Sequence, residues 1–405
     1  MKSAFSLPKI PAGLWPLVVY LAVLGPVMAL MPRLMTYGTI LGIFLTLPFL
    51  FTHARAVSDF FAKPATALAF LAVAYACFSA GWSPSPRAYA RASDFIYIAL
   101  GAGLFLSLAP QIPFEARRLF LLVFAGGWAV GLAMGMVEFS LHHPLHRAVY
   151  HLGPKAPITE DVIKRTAGLF ALTAWALAAW LEKTRGRPSA SLFLAALFLL
   201  SLISTSRSAM AGMALGLIVL TYASFYPEAA RRMLMILVLA GLVLTVPLFH
   251  QIPKIPTGIT NLIFSSARAR LGIWYYTARH VEEAPLFGHG LDASRGTQNE
   301  VKEGEIPSMK ARRGVISLHP HNIFLQLWLD FGLMGVTLWG GLLLLLLCAT
   351  RRLEAALQPY ALGAFTCGLT MLSVTFSPVQ AWWAAGFVVT AALFLMLAQN
   401  RSSKY

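Results

Sequence analysis

The stretch "HNIFLQLWLDFGLMGVTLWGGLLLLLLCATRR", residues 321–352, holds a single acidic residue, Asp330, between a leading His321-Asn322 pair and a closing Arg351-Arg352 pair. About 20 consecutive apolar residues suffice to cross a hydrocarbon core of roughly 30 Å. The run therefore reads as a membrane span with a polar head at one end and a cationic stop at the other. Comparable runs recur near 14–31, 35–51, 64–81, 92–109, 117–137, 167–182, 189–204, 208–225, 233–249, 322–349, 356–376 and 379–399, about twelve in all. Composition agrees, with 58% hydrophobic and only 12% charged residues and a mean hydropathy of +0.68, far from a soluble mixture. The expected fold class is an all-α integral membrane protein with about twelve transmembrane helices.

The formal charge of +16, from 32 basic against 16 acidic residues, would raise the question of nucleic acid in a soluble chain. Here the charges mark topology, and no nucleic acid partner is expected. Arg55 and Lys63, Arg117 and Arg118, Lys183 with Arg185 and Arg187, Arg231 and Arg232, Arg351 and Arg352, and Arg401 and Lys404 collect at alternate connectors. With Lys2 and Lys9 they assign one face, and both termini, to the cytoplasm. Fewer cations (Arg33, Arg87, Arg91, Arg207) sit on the other connectors. The basic start, Met1 to Pro11, lacks a small-residue cleavage site after its apolar run, so a retained first helix is expected. Cys77, Cys348 and Cys367 all lie in apolar runs, which argues against a disulfide framework.

The simplest organisation is one multi-pass domain, residues 1–405, with an outer insertion at 250–320 between the ninth and tenth spans. Inside it, Leu271, Trp274, Tyr275 and Ala278 repeat at helical spacing and predict an amphipathic helix near 266–283, lying at the membrane boundary and ending before Pro285. A second outer segment, 138–166, carries His142, His143, His146 and His151. "HHPLH" lacks a carboxylate or cysteine at a recognised zinc spacing, although Glu138 and Asp161 are near, and an interfacial loop is the expectation.

Three places could carry chemistry. Arg207 sits between two apolar runs with almost no loop around it, where an arginine either snorkels or serves a function. Arg270 shares a face with Trp274 of the amphipathic helix and is either a solvated residue or, with Arg207, one of two guanidinium forks suited to phosphate oxygens. Arg268, Arg165 and Arg295 are weaker candidates of the same kind. His321 lies at a helix N-terminus capped by Asn322, where the positive end of the dipole favours a neutral ring able to accept a proton; a plain capping motif is the other reading. His319, Asn322, Asp330 and Trp274 accompany it as weaker candidates. There is no HExxH, Walker loop, GxSxG or outer carboxylate pair, so neither a metal nor a cofactor is expected, and arginines would stabilise a diphosphate.

"WSPSP" (82–86), "RTAGLF" (165–170), "TSRSA" (205–209), "RLGIW" (270–274), "APLFGHG" (284–290) and "HNIFLQLWLDFGLMG" (321–335) occur in this order. Together they resemble the bacterial O-antigen ligase and polymerase superfamily over most of the chain. The chain departs from it at Ala171-Leu172-Thr173, where many members have a Pro-Asn pair, and at Asp330, where many have glutamate. The resemblance implies a membrane glycosyltransferase with a GT-C-like fold, a multi-pass protein of the bacterial inner membrane whose active site faces the periplasm. The implied reaction moves O-antigen from undecaprenyl diphosphate to lipid A-core oligosaccharide, completing lipopolysaccharide. Arg207 and Arg270 would bind the donor diphosphate, His321 would activate the acceptor, and the displacement would invert the anomeric centre. A polymerase, with a second lipid-linked glycan as acceptor, would show the same donor motifs. A twelve-span transporter is a different class, which internal repeats or charged midspan breaks would favour; neither is visible here.

Overall fold

The computed structural model describes residues 14–153, 158, 161–203, 206–262, 265–297, 300–301, 312–313 and 318–398. The terminal charges Lys2, Lys9, Arg401 and Lys404 lie outside the described residues. Sixteen α-helices follow in order among them. They begin with α1 (Trp15–Leu30), α2 (Met35–Thr52), α3 (Ala54–Phe61), α4 (Pro64–Ser79), α5 (Ala88–Leu108), α6 (Phe114–Ser140), α7 (Pro144–Val149) and α8 (Asp161–Arg185). They continue with α9 (Arg187–Ile203), α10 (Arg207–Phe225), α11 (Pro227–Phe249), α12 (Thr257–Leu262), α13 (Ser265–Glu283), α14 (Ile323–Ala349), α15 (Gln358–Val374) and α16 (Ala381–Leu397). Glu300–Val301 and Arg312–Arg313 form a two-residue antiparallel pair.

Each of the apolar stretches read from sequence falls on a helix. Length and composition mark six as able to cross a membrane, or up to seven if α3 and α4, bent by 71° at their junction, form one span. α1, α9 and α16 are shorter apolar helices. The protein is thus an all-helical membrane protein, and many large apolar side chains on α2, α10 and α11, such as Phe44, Ile218 and Ile236, face outward. In a bilayer such a face meets lipid at no hydrophobic penalty.

The centre of the bundle sets the position of the candidate residues. Gly212 lies against the Cys367 carbonyl and Gly216 against that of Gly363, an antiparallel register between α10 and α15. That register brings Arg207, which opens α10, to the end of α15 that carries Thr375. Gly168 of α8 lies against Phe376, so Arg165, one turn earlier, reaches the same end.

α14 falls on the span expected at 322–349 but is not one unbroken helix. It is broken at Gly332, whose φ of 58° and ψ of −157° are open essentially to glycine alone. In an unbroken helix the Leu329 and Asp330 carbonyls would accept from Leu333 and Met334. Here they accept instead from the N–H groups of His289 and Gly290, at 2.8 Å each. Leu333 and Met334 donate to Pro285 and Leu286, at 2.9 and 3.1 Å. The strap 284–290 thus satisfies these two carbonyls and two N–H groups, and Tyr75 donates to the Phe331 carbonyl at 3.3 Å, pairing that a membrane interior requires. A Cβ at Gly332 would fall 2.6 Å from the Gly288 nitrogen, so this seam closes only around glycine.

Candidate functional site

The strap is pinned from a third direction by the "WSPSP" turn. Trp82 Nε1 donates to the Gly288 carbonyl at 3.1 Å, Ser83 Oγ to that of Leu291 at 2.7 Å, and Tyr75 to that of Phe287 at 2.9 Å. Three of the motifs that carry the family resemblance therefore meet in one clamp. It fixes the short head of α14, Ile323 to Phe331, and with it the residues just before the helix.

His321 adopts the left-handed backbone region, with φ of 55°. Its Nδ1 lies 3.0 Å from the Thr375 carbonyl. A carbonyl only accepts, so Nδ1 carries the proton, and in the neutral form of the ring Nε2 is the basic nitrogen. Asn322 is the N-cap, as expected, its Oδ1 accepting from Phe324 and Leu325 at 3.0 and 3.1 Å. That duty accounts for its oxygen and gives it a structural role.

His319 stands edge-on to His321, ring centroids 4.1 Å apart and planes at 86°. It is buried, and Nδ1 has no hydrogen-bond partner among the described residues. Burial first, then the charges of His321 and Arg295, pushes its imidazole down to about 3, so it is neutral at pH 7.

Trp274 ties α13 to the same place. Its Nε1 donates to the Pro320 carbonyl at 3.1 Å while its ring stacks on Phe249 at 4.8 Å. Arg270 is half-buried one turn earlier on α13, and burial lowers the pKa of its guanidinium. Arg268, two residues before Arg270, is turned to another side of α13 by helical geometry. Of the stripe read in sequence, Ala278 is buried and Leu271, Trp274 and Tyr275 are half-buried against Ile252 and Tyr276, and the buried face also takes in Tyr276 and Val281. Arg207 is exposed at the first turn of α10.

Asp330 is fully buried and accepts from Ala293 N and Gln326 Nε2, both at 3.1 Å. Behind it lies a group that sequence reading missed. Asp292, fully buried and left-handed at φ 60°, pairs with Arg295 at 2.8 Å and lies 3.9 Å from Arg91 and 3.4 Å from Ser85 Oγ. Burial raises its carboxyl pKa, against the pull of both arginines. Arg295, a weak candidate from sequence, is thus held by a buried carboxylate and acts on His319. An acidic residue flanked by "GHGL" and "ASRG" was the available signal.

The histidine-rich segment is organised around Glu138. Glu138 Oε1 caps α7 by accepting from Leu145 and His146 at 2.6 and 3.1 Å, and its other oxygen lies 3.7 Å from His143. His142, His143 and His151 all occupy positive φ. Among the described residues no group of three or more potential metal ligands occurs.

Fold and site together define a multi-pass membrane protein that gathers arginines, imidazoles and buried carboxylates at one end of its bundle. Residues 190–340 match the family model described as O-antigen ligase, the resemblance that the motifs led us to expect. A Rickettsia bellii protein named "Putative polysaccharide ligase" is 27% identical over 295 residues, which cover 71% of this chain and 69% of that one. A like-named Rickettsia conorii protein is 24% identical over 315 residues, 75% of this chain and 72% of its own.

Proposed function

We propose that this chain is an O-antigen ligase of the bacterial inner membrane. It transfers O-antigen from undecaprenyl diphosphate to lipid A-core oligosaccharide at a site facing the periplasm. The observation that carries the reading is the held imidazole: His321 gives Nδ1 to the Thr375 carbonyl, leaving Nε2 to take a proton, at the end of the bundle where Arg207 opens α10 and the Arg270 helix docks. The alternation of basic connectors supports about twelve crossings, cytoplasmic termini and a periplasmic insertion at 250–320.

The reaction is a single inverting displacement. The acceptor hydroxyl oxygen bonds to the anomeric carbon as the bond from that carbon to the phosphate oxygen breaks, and the hydroxyl proton passes to His321 Nε2. Undecaprenyl diphosphate leaves with the electron pair. Arg207 and Arg270 offset the charge that grows on it, each charge-assisted hydrogen bond contributing about 1.5–3 kcal/mol. A positioned base contributes about 10²–10⁴-fold. With arginines in this role the reaction is metal-independent, so a chelator leaves transfer by purified protein unchanged; abolition by chelator and recovery with a divalent ion would refute that part.

The test is lipopolysaccharide banding in a cell lacking its own ligase, complemented with this chain or its His321→Ala form at equal expression. The reading requires an O-antigen ladder from the first and none from the second. Failure to restore the ladder, with recovery of long chains in a polymerase-deficient strain, would assign the chain to the polymerase branch.

A further inference from the structure

Four polar side chains in the head of the molecule are almost completely withdrawn from solvent: Gln326 and Ser377 at 1% exposure, Asp330 and Asp292 at 0%. Three of them form a continuous chain. Val379 N–H donates to Ser377 Oγ at 3.3 Å, Ser377 Oγ donates to Gln326 Oε1 at 2.8 Å, and Gln326 Nε2 donates to Asp330 Oδ2 at 3.1 Å. The other Asp330 oxygen takes the Ala293 N–H at 3.1 Å.

The polarity of this chain is fixed at both ends. Asp330 fixes one end by accepting, and at the other Val379 N–H occupies a lone pair of Ser377 Oγ while the Ser377 proton goes to Gln326. That sets the glutamine oxygen towards Ser377 and its N–H2 towards Asp330. Asp330 must then accept on both oxygens. Burying such groups is costly unless every member is satisfied, and packed apolar residues would serve stability as well. The chain ends at Ser377, two residues beyond Thr375, whose carbonyl holds the His321 ring.

We infer that Asp330 is a positioning residue, which acts through Gln326 and Ser377 to hold the Thr375 carbonyl against His321 and so to aim the imidazole. The inference rests on the reading of His321 as proton acceptor. Asp330 itself is enclosed and touches no substrate.

The chain's polarity makes an unusual prediction. Asp330→Asn changes almost no volume, yet it sets an N–H2 against either the Ala293 N–H or the Gln326 N–H2. Adding Gln326→Glu moves the acceptor one step along: the introduced carboxylate receives both the Ser377 hydroxyl and the new amide, whose oxygen still takes the Ala293 N–H. The experiment uses purified full-length protein, undecaprenyl-diphosphate-linked glycan and lipid A-core extracted from ligase-deficient cells, with detergent melting curves as a folding control.

Asp330→Asn is expected to lower kcat at least tenfold with KM for the lipid-linked donor within twofold. Asp330→Asn with Gln326→Glu is expected to recover to within about threefold of the unaltered chain. In a His321→Ala background, Asp330→Asn is expected to add less than twofold further loss. Absence of recovery in the double variant, or a full tenfold loss without His321, overturns the inference while leaving His321 as acceptor. Full activity of His321→Ala overturns both.

Discussion

The two ends of the bundle handle buried polar groups in opposite ways. At the end away from His321, Arg231 is 2% exposed, yet each of its three guanidinium nitrogens is engaged: Nε on Thr350 at 3.0 Å, one terminal nitrogen on Gln358 at 2.8 Å, and the other on Glu228. Glu228 also receives Arg351, and Lys183 pairs with Glu354 at 2.8 Å. That end is a closed clasp joining α8, α11, α14 and α15. At the His321 end, His319 Nδ1, Asp292 Oδ1 and Ser294 Oγ are buried with no hydrogen-bond partner among the described residues. Native proteins rarely leave such groups unmet without reason. One end has spent its polar capacity on holding helices together, and the other keeps some in reserve.

The sharpest way to break this contrast is to truncate one residue at each end. His321→Ala is expected to lower transfer by about 10²–10⁴-fold with little change in melting temperature; a comparable fall in stability would make it a structural residue. Arg207→Ala removes one or more charge-assisted bonds and is expected to lower kcat/KM by about 10- to 150-fold, read in the same purified assay. Arg231→Met is expected to do the reverse. It leaves Thr350 and Gln358 unmet at about 1–3 kcal/mol each, lowering the melting temperature in detergent while turnover per folded molecule stays near that of the unaltered chain.

The smallest effect concerns acid. The His319 pKa falls from 6.5 unfolded to about 3 folded, so between those values the unfolded chain binds the extra proton. Stability from this group is therefore full above about pH 6.5 and is lost as pH falls towards 3. Replacing His319 by Phe is expected to flatten that part of the curve of melting temperature against pH. An unchanged slope would show that His319 is not the group responsible.

The helices were legible because apolar runs of the right length are a local signal, as α6, α11 and the long shaft of α14 show. The cap at Asn322 and the helix at 265–283 were legible for the same reason. Arg207, Arg270 and His321 could be named individually, but that α10, α13 and α14 bring them to one end depends on helix register, which no single segment encodes. The break at Gly332 was hidden because its cause lies about 45 residues away in the strap. Asp330 was named from sequence, whereas Gln326, four residues earlier in the same apolar helix, was not. Ser377 gave no comparable signal, since only the fold makes it their neighbour.

The break in α14 also bears on the order in which the molecule is made. An ordinary helix closes its carbonyls on residues synthesised moments later, four positions on. Here the partners of Leu329, Asp330, Leu333 and Met334 belong to the strap 284–290, which leaves the ribosome before any of them. The template precedes the segment it completes, so the head of α14 takes shape as it meets a docking edge already translated. A chain rearranged so that 284–290 came last would hold the same residues, but its tenth apolar segment would have to wait in the bilayer with two donors and two acceptors open.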